Sequence, residues 1–74
     1  MDLLLPIRQQ RKAETRKRLI RAAQELFVIQ GYEATTLEGV AHRAGLHVQT
    51  LYRHFSNKVE LAAAGEEETL AFFR

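Results

Sequence analysis

Seventy-four residues without a cysteine exclude a disulfide-stapled scaffold and a thiolate metal site, and leave one small domain near the size at which a single core suffices. The net charge of +2 conceals a division: residues 1–58 carry ten Lys/Arg against five Asp/Glu, and residues 59–74 carry one Arg against four Glu. A basic body with an acidic tail suits a module that meets a polyanion with one part of its surface.

Other classes fall away on the same grounds. No stretch approaches the length of a transmembrane helix, and the run Leu3-Leu4-Leu5-Pro6-Ile7 is too short for a signal sequence. The chain is therefore expected to be soluble and cytoplasmic. Its three histidines stand five and seven residues apart, a spacing that points to no metal site. No nucleophile lies beside a base, and there is neither a phosphate loop nor a carboxylate pair, so neither an enzyme nor a cofactor is expected. One proline and four glycines predict an all-α chain.

Residues 1–12 lack helical periodicity, and Arg8, Arg11 and Lys12 make them a flexible basic arm. Such an arm tracks phosphates, enters a minor groove or is simply a solvated end. From about Ala13 a first helix is predicted. Leu19, Ile20, Ala23, Leu26 and Phe27 form its apolar stripe, while Arg16, Lys17, Arg18 and Arg21 crowd its first half. Glu14 and Arg18 stand in the favourable i,i+4 order. Gly31 stops this helix and Tyr32 packs back over its end.

A second helix opens at the threonine pair. Thr36 as N-cap puts Leu37, Val40, Ala41 and Ala44 on one face, whereas Thr35 with Glu38 would make a capping box. Gly39 inside this helix costs about 1 kcal/mol against alanine, and is either tolerated or needed for close approach. Gly45 ends the helix, and Leu46 plugs the turn. A third helix runs from about Val48 to His54, with Leu51 and Phe55 facing the core. Gln49 and Arg53 point the opposite way, flanked by Thr50 and His54 on one side and Tyr52 on the other. Asn57 with Glu60 is the capping pair of a fourth helix, with Lys58 at its first position and Leu61 inward. That helix continues past Gly65 towards Leu70, Phe72 and Phe73, an apolar group that suggests a chain continuing further or folding back on the first helix.

Two short helices joined by a glycine turn make a helix-turn-helix, and the second is sized for the major groove. The fold expected is thus a three-helix, homeodomain-like bundle over residues 13–58, with the start of a connecting fourth helix over residues 59–74. The alternative function is a helical protein-interaction module that presents Leu70, Phe72 and Phe73.

The residues sharpen this reading. Thr36, Val40-Ala41, Ala44-Gly45-Leu46, Thr50-Leu51-Tyr52-Arg53-His54-Phe55, Asn57-Lys58 and Leu61, preceded by Ala23, Leu26-Phe27, Gly31-Tyr32 and Thr35, resemble the DNA-binding domain of the tetracycline-repressor (TetR) family of bacterial regulators. The resemblance spans about residues 13–64. It implies a homodimer reading a palindromic double-stranded operator, usually as a repressor, with dimer interface and small-molecule effector pocket in a further C-terminal domain. It implies phosphate contacts from Thr36, Tyr52, His54 and Lys58, and base reading by Val48, Gln49 and Thr50. Gln49 suits adenine and Val48 a thymine methyl. Glu38 would accept from a cytosine amino group or merely cap, and Arg53 would reach bases or backbone. His47 departs from the family pattern, which has a cap-forming residue there; either the reading helix is capped less well or His47 itself contacts phosphate.

Overall fold

The computed structural model describes the backbone of residues 7–72 and the side chains of residues 7–67. Four helices follow one another: α1 (Ile7–Gln30), α2 (Leu37–Ala44), α3 (Val48–His54) and α4 (Lys58–Phe72). The described part is all-α, with α1 packed against each of the other three. The side chains of Leu70, Phe72 and Phe73 lie outside the described residues, as do residues 1–6.

The core follows the predicted stripes. Leu19, Ile20, Ala22 and Ala23 of α1 meet Val40 and Ala41 of α2, Leu51 of α3, Phe55 just after it, and Leu61 and Ala64 of α4. Leu26, Phe27, Leu37, Ala44, Leu46 and Val48 close its rim. Four of these core residues, Ala22, Ala23, Ala41 and Ala64, are small, which suits close packing between short helices.

One boundary is corrected. Helix α1 begins at Ile7, so residues 7–12, expected as part of a flexible arm, are helical. Apart from the exposed Ile7 these residues are polar, and they give no amphipathic signal. Their helicity comes from propagation of a nucleus already fixed by the buried stripe further along. The predicted Glu14–Arg18 pair is also replaced. Arg18 instead donates to the Ala44 carbonyl at the end of α2, and among the described residues the ion pair is Arg43–Glu25 at 2.9 Å. That pair is solvent-exposed and worth a few tenths of a kcal/mol.

The joints are set by hydrogen bonds that the sequence half reveals. After α1, Gly31 N–H closes on the Phe27 carbonyl. The buried Thr35 hydroxyl donates back to the Gly31 carbonyl at 2.8 Å. Thr35 is therefore a loop latch, and Thr36 is the cap, its Oγ1 accepting the Gly39 N–H at 3.0 Å. The question left open at Gly39 is answered by the same cap. A Cβ there would stand 3.1 Å from Thr36 Oγ1, a tight contact that would press on the capping hydroxyl and that glycine avoids.

At the other end of α2, Gly45 adopts φ +74, a left-handed conformation that glycine takes without cost. Leu46 N–H bonds the Ala41 carbonyl and Gly45 N–H bonds that of His42, the paired bonds of a Schellman closure. Leu46 then packs on the core as the plug. Helix α4 starts with Asn57 Oδ1 accepting the Glu60 N–H at 2.9 Å. The reciprocal arm reaches one residue further than the capping pair predicts, with Glu60 Oε1 accepting from Ser56 N–H at 3.0 Å.

Candidate nucleic-acid interface

Helix α3 is seven residues long and divided by face. Leu51 is fully buried, as is Phe55 beyond the last turn. Gln49, Tyr52 and Arg53 are exposed, and Thr50 and His54 half so. A helix this short gains little from propensity, so the two inward residues hold it to the bundle. The outward face is free to carry polar groups chosen for contact. Val48 is half-buried against the core, which leaves part of its surface at the N-terminal end of the reading face.

His47 sits at the N-cap of α3 with extended backbone, and its side chain makes no capping bond. The weakness expected from the sequence is present: the Thr50 N–H turns to the His47 carbonyl at 3.0 Å instead. Serine at this position has an oxygen at the right distance to accept from the first turn. His47→Ser is therefore expected to raise stability by about 0.5–1 kcal/mol, near 4–8 °C of melting temperature per kcal/mol in a domain this size. A thermal melt showing no gain would mean that the first turn is already satisfied by solvent.

Three clusters surround the reading face. In the first, the exposed Thr36 hydroxyl caps α2, and Glu38 in the first turn accepts from Tyr52 Oη at 3.5 Å. This long hydrogen bond brings the α2 N-terminus beside the middle of α3. In the second, Lys58 is turned inward. Its Nζ donates to the Tyr32 carbonyl at 2.6 Å and the Thr35 carbonyl at 3.0 Å, and lies 4.2 Å from the centre of the Tyr32 ring. Tyr32 in turn packs against Phe27 in a tilted ring contact, with centroids 5.3 Å apart. An ammonium has three donors, so Lys58 keeps one N–H for an outside acceptor. The family resemblance implies a phosphate contact for Lys58; its service as the clasp of the α1–α2 loop has no sequence signal.

The third cluster joins His54 and Arg53 to α1. Arg16 lies over the Phe55 ring at 4.6 Å, and His54 is beside the same ring. Burial, then the charge of Arg16, then that of Lys12, hold the His54 imidazole below its ordinary pKa of 6.5. Below pH 6.5 the unfolded chain takes up a proton that the folded one resists. Stability from this group is thus full above pH 6.5 and falls as the pH drops towards the lowered native value. Melting at pH 7.5 and at pH 5.5 should show the acid sample less stable, with the gap narrowed in His54→Asn. An unchanged gap in that variant would place the titrating group elsewhere.

The sequence places Lys12 in the basic arm and Arg16 in the basic half of the first helix. Only with α1 starting at Ile7 does their i,i+4 spacing put them on one face, and which neighbour that face meets is a tertiary matter. A concavity between α1 and α4, walled by Phe27, Tyr32 and Leu61, is lined by no α3 residue. A convex reading helix needs no pocket of its own. None of the described helices is long and apolar enough to cross a membrane.

A family model described as bacterial regulatory proteins of the tetR family matches residues 19–64, which is more than half of the chain. The chain belongs to the TetR family. The matched segment of this TetR-family protein contains all of α2 and α3, the two helices of the helix-turn-helix in its DNA-binding domain.

Relatives agree with that placement. The HTH-type transcriptional regulator TcmR of Streptomyces glaucescens is 48% identical over 56 residues, covering 76% of this chain and 25% of TcmR. The HTH-type transcriptional activator FasR of Mycolicibacterium smegmatis is 47% identical over 51 residues, 69% of this chain and 23% of its own. The HTH-type transcriptional repressor KstR of Mycobacterium tuberculosis is 45% identical over 56 residues, 73% of this chain and 26% of its own. The TetR-family chain thus spans about a quarter of the length of these relatives.

Proposed function

We propose that this domain recognises one half of a palindromic operator in duplex DNA, with α3 in the major groove, and that it serves a cytoplasmic, nucleoid-associated regulator acting as a repressor. The observation that supports this best is the division of α3. Leu51 and Phe55 satisfy the core, while Gln49, Tyr52 and Arg53 stand exposed on a helix with no packing use for them. In this reading Gln49 bonds the N6 and N7 edge of adenine, Val48 packs on a thymine methyl, and Thr50 adds a hydroxyl contact. Thr36, Tyr52, His54 and the remaining N–H of Lys58 hold phosphates, while Arg53 reaches bases or backbone. Glu38 either accepts from a cytosine amino group or steadies Tyr52. His47, uncapping but exposed, adds a phosphate contact at the entrance to α3.

A single reading head of this size binds weakly, so the operator is read by a homodimer, and a small-molecule effector controls it from elsewhere in the protein. The greater length of the relatives leaves room for both functions. Titration of a duplex at increasing salt tests the core of the reading. Binding through several phosphates weakens steeply between about 50 and 200 mM salt. Affinity that hardly changes over that range would point to an apolar protein partner instead.

A further inference from the structure

The N-terminal half of α1 and the last turn of α3 enclose a cleft of about 400 Å³, lined by Gln9, Lys12, Ala13, Arg16, Arg53 and His54. Three of these carry permanent positive charge, and His54 adds a titratable fourth. Among the described residues no carboxylate pairs with any of them. The negative end of the α3 dipole contributes about half a charge at most, which the three cations outweigh. The like charges repel one another; burial first, and then Arg16 and Lys12, lower the basicity of His54.

The cleft is also ordered. The Arg16 guanidinium carbon lies 4.6 Å from the centre of the buried Phe55 ring, a cation–π contact that holds the group at the cleft, and a guanidinium has five N–H donors to offer a tetrahedral oxyanion. Lys12 is one turn before Arg16 on the same face of α1. Gln9 adds an amide to the lining.

We propose that this cleft binds one phosphodiester group of the DNA duplex, on the wall of the groove whose floor is read by the other end of α3. The inference rests on the reading of this domain as a duplex binder. Its geometry is suited to the task. Seven residues of helix are about 10 Å long, close to the roughly 12 Å width of the major groove. With Val48 and Gln49 at the bases, Arg53 and His54 at the far end of α3 come level with the backbone, and Lys12 and Arg16 of α1 meet the same strand. The basic half of α1 thereby becomes a second hold on the duplex, placed by the helical extension back to Ile7.

Binding of the 74-residue chain to a fluorescent duplex of about 20 base pairs, measured over a range of salt, tests this. The variants are Lys12→Gln, the double variant Lys12→Gln/Arg16→Gln, and Arg21→Gln as a charge-matched control. Arg21 is on α1 beside Glu25 and Arg43 rather than in the cleft. Loss of one phosphate contact lowers the slope of log affinity against log salt by about 0.9. The double variant should show that loss and Arg21→Gln should not. Because Arg16 also packs on Phe55, Lys12→Gln serves as the variant without structural cost; Lys12 is exposed, and its slope should fall in the same direction. A wild-type slope in both cleft variants, or an equal fall in Arg21→Gln, would overturn the site while leaving DNA binding intact. A wild-type chain with no salt-dependent binding would overturn the duplex reading itself, and the site with it.

Discussion

Lys58→Met is expected to destabilise the domain by about 2–3 kcal/mol, more than its position on a half-exposed helix start suggests. The ammonium bonds two carbonyls, those of Tyr32 and Thr35, and rests on the Tyr32 ring. Hydrogen bonds to a charged group contribute about 1.5–3 kcal/mol each when their partners would otherwise be left short, and partial exposure here keeps the sum near the lower end. A domain of this size has only about 5–15 kcal/mol in total, so the melting temperature should drop by about 10 °C or more.

The consequence reaches the DNA face. The two carbonyls belong to the loop that feeds Thr36, whose hydroxyl caps α2. A loosened loop disturbs that cap and the Glu38–Tyr52 contact beside it. At a temperature where the variant is folded, it should bind every duplex more weakly, without altered preference. A melt equal to the wild type's would reduce Lys58 to a surface charge and remove the clasp from the account.

This clasp marks the limit of what the chain discloses before folding. Periodicity is enough to place α2, α3 and the inward faces of all four helices, because a buried stripe leaves a three- and four-residue signature. Leu51, Phe55 and Leu61 are buried for that reason. Local chemistry is likewise enough for the caps at Thr36 and Asn57, since a side-chain oxygen and an N–H three residues on are neighbours along the chain. Lys58 and Tyr32 are 26 residues apart, and Arg18 and Ala44 likewise. Such pairings depend on how helices cross, and no spacing encodes them. The start of α1 is hidden for a different reason: Ile7 to Lys12 are helical without burying a face. Among the site residues, those of α3 are legible because their exposure follows from Leu51 and Phe55. The alliance of Arg53 and His54 with Lys12 and Arg16 is not, because it joins two helices.

Gln49→Ala is expected to leave overall folding unchanged and to relax sequence preference at one base pair. Gln49 is exposed on the first turn of α3, so its truncation removes no core contact. A bidentate amide–adenine pair discriminates against the wrong base by about 1–3 kcal/mol, a factor of roughly 5 to 150. That discrimination should vanish at a single position of the half-site and persist at the others. Tyr52→Ala should behave in the opposite manner, weakening all duplexes to a similar degree. Equal loss of preference in both variants would mean that reading and clamping are not divided between the two residues.

Selection of bound sequences from a random duplex pool, carried out in parallel with the wild-type protein and Gln49→Ala, tests the central claim most directly. The wild type should enrich a half-site containing an adenine that the variant no longer requires, with the neighbouring positions retained. Enrichment of one and the same motif by both proteins, or of none by the wild type, would contradict the assignment of the exposed face of α3 as the reader of DNA.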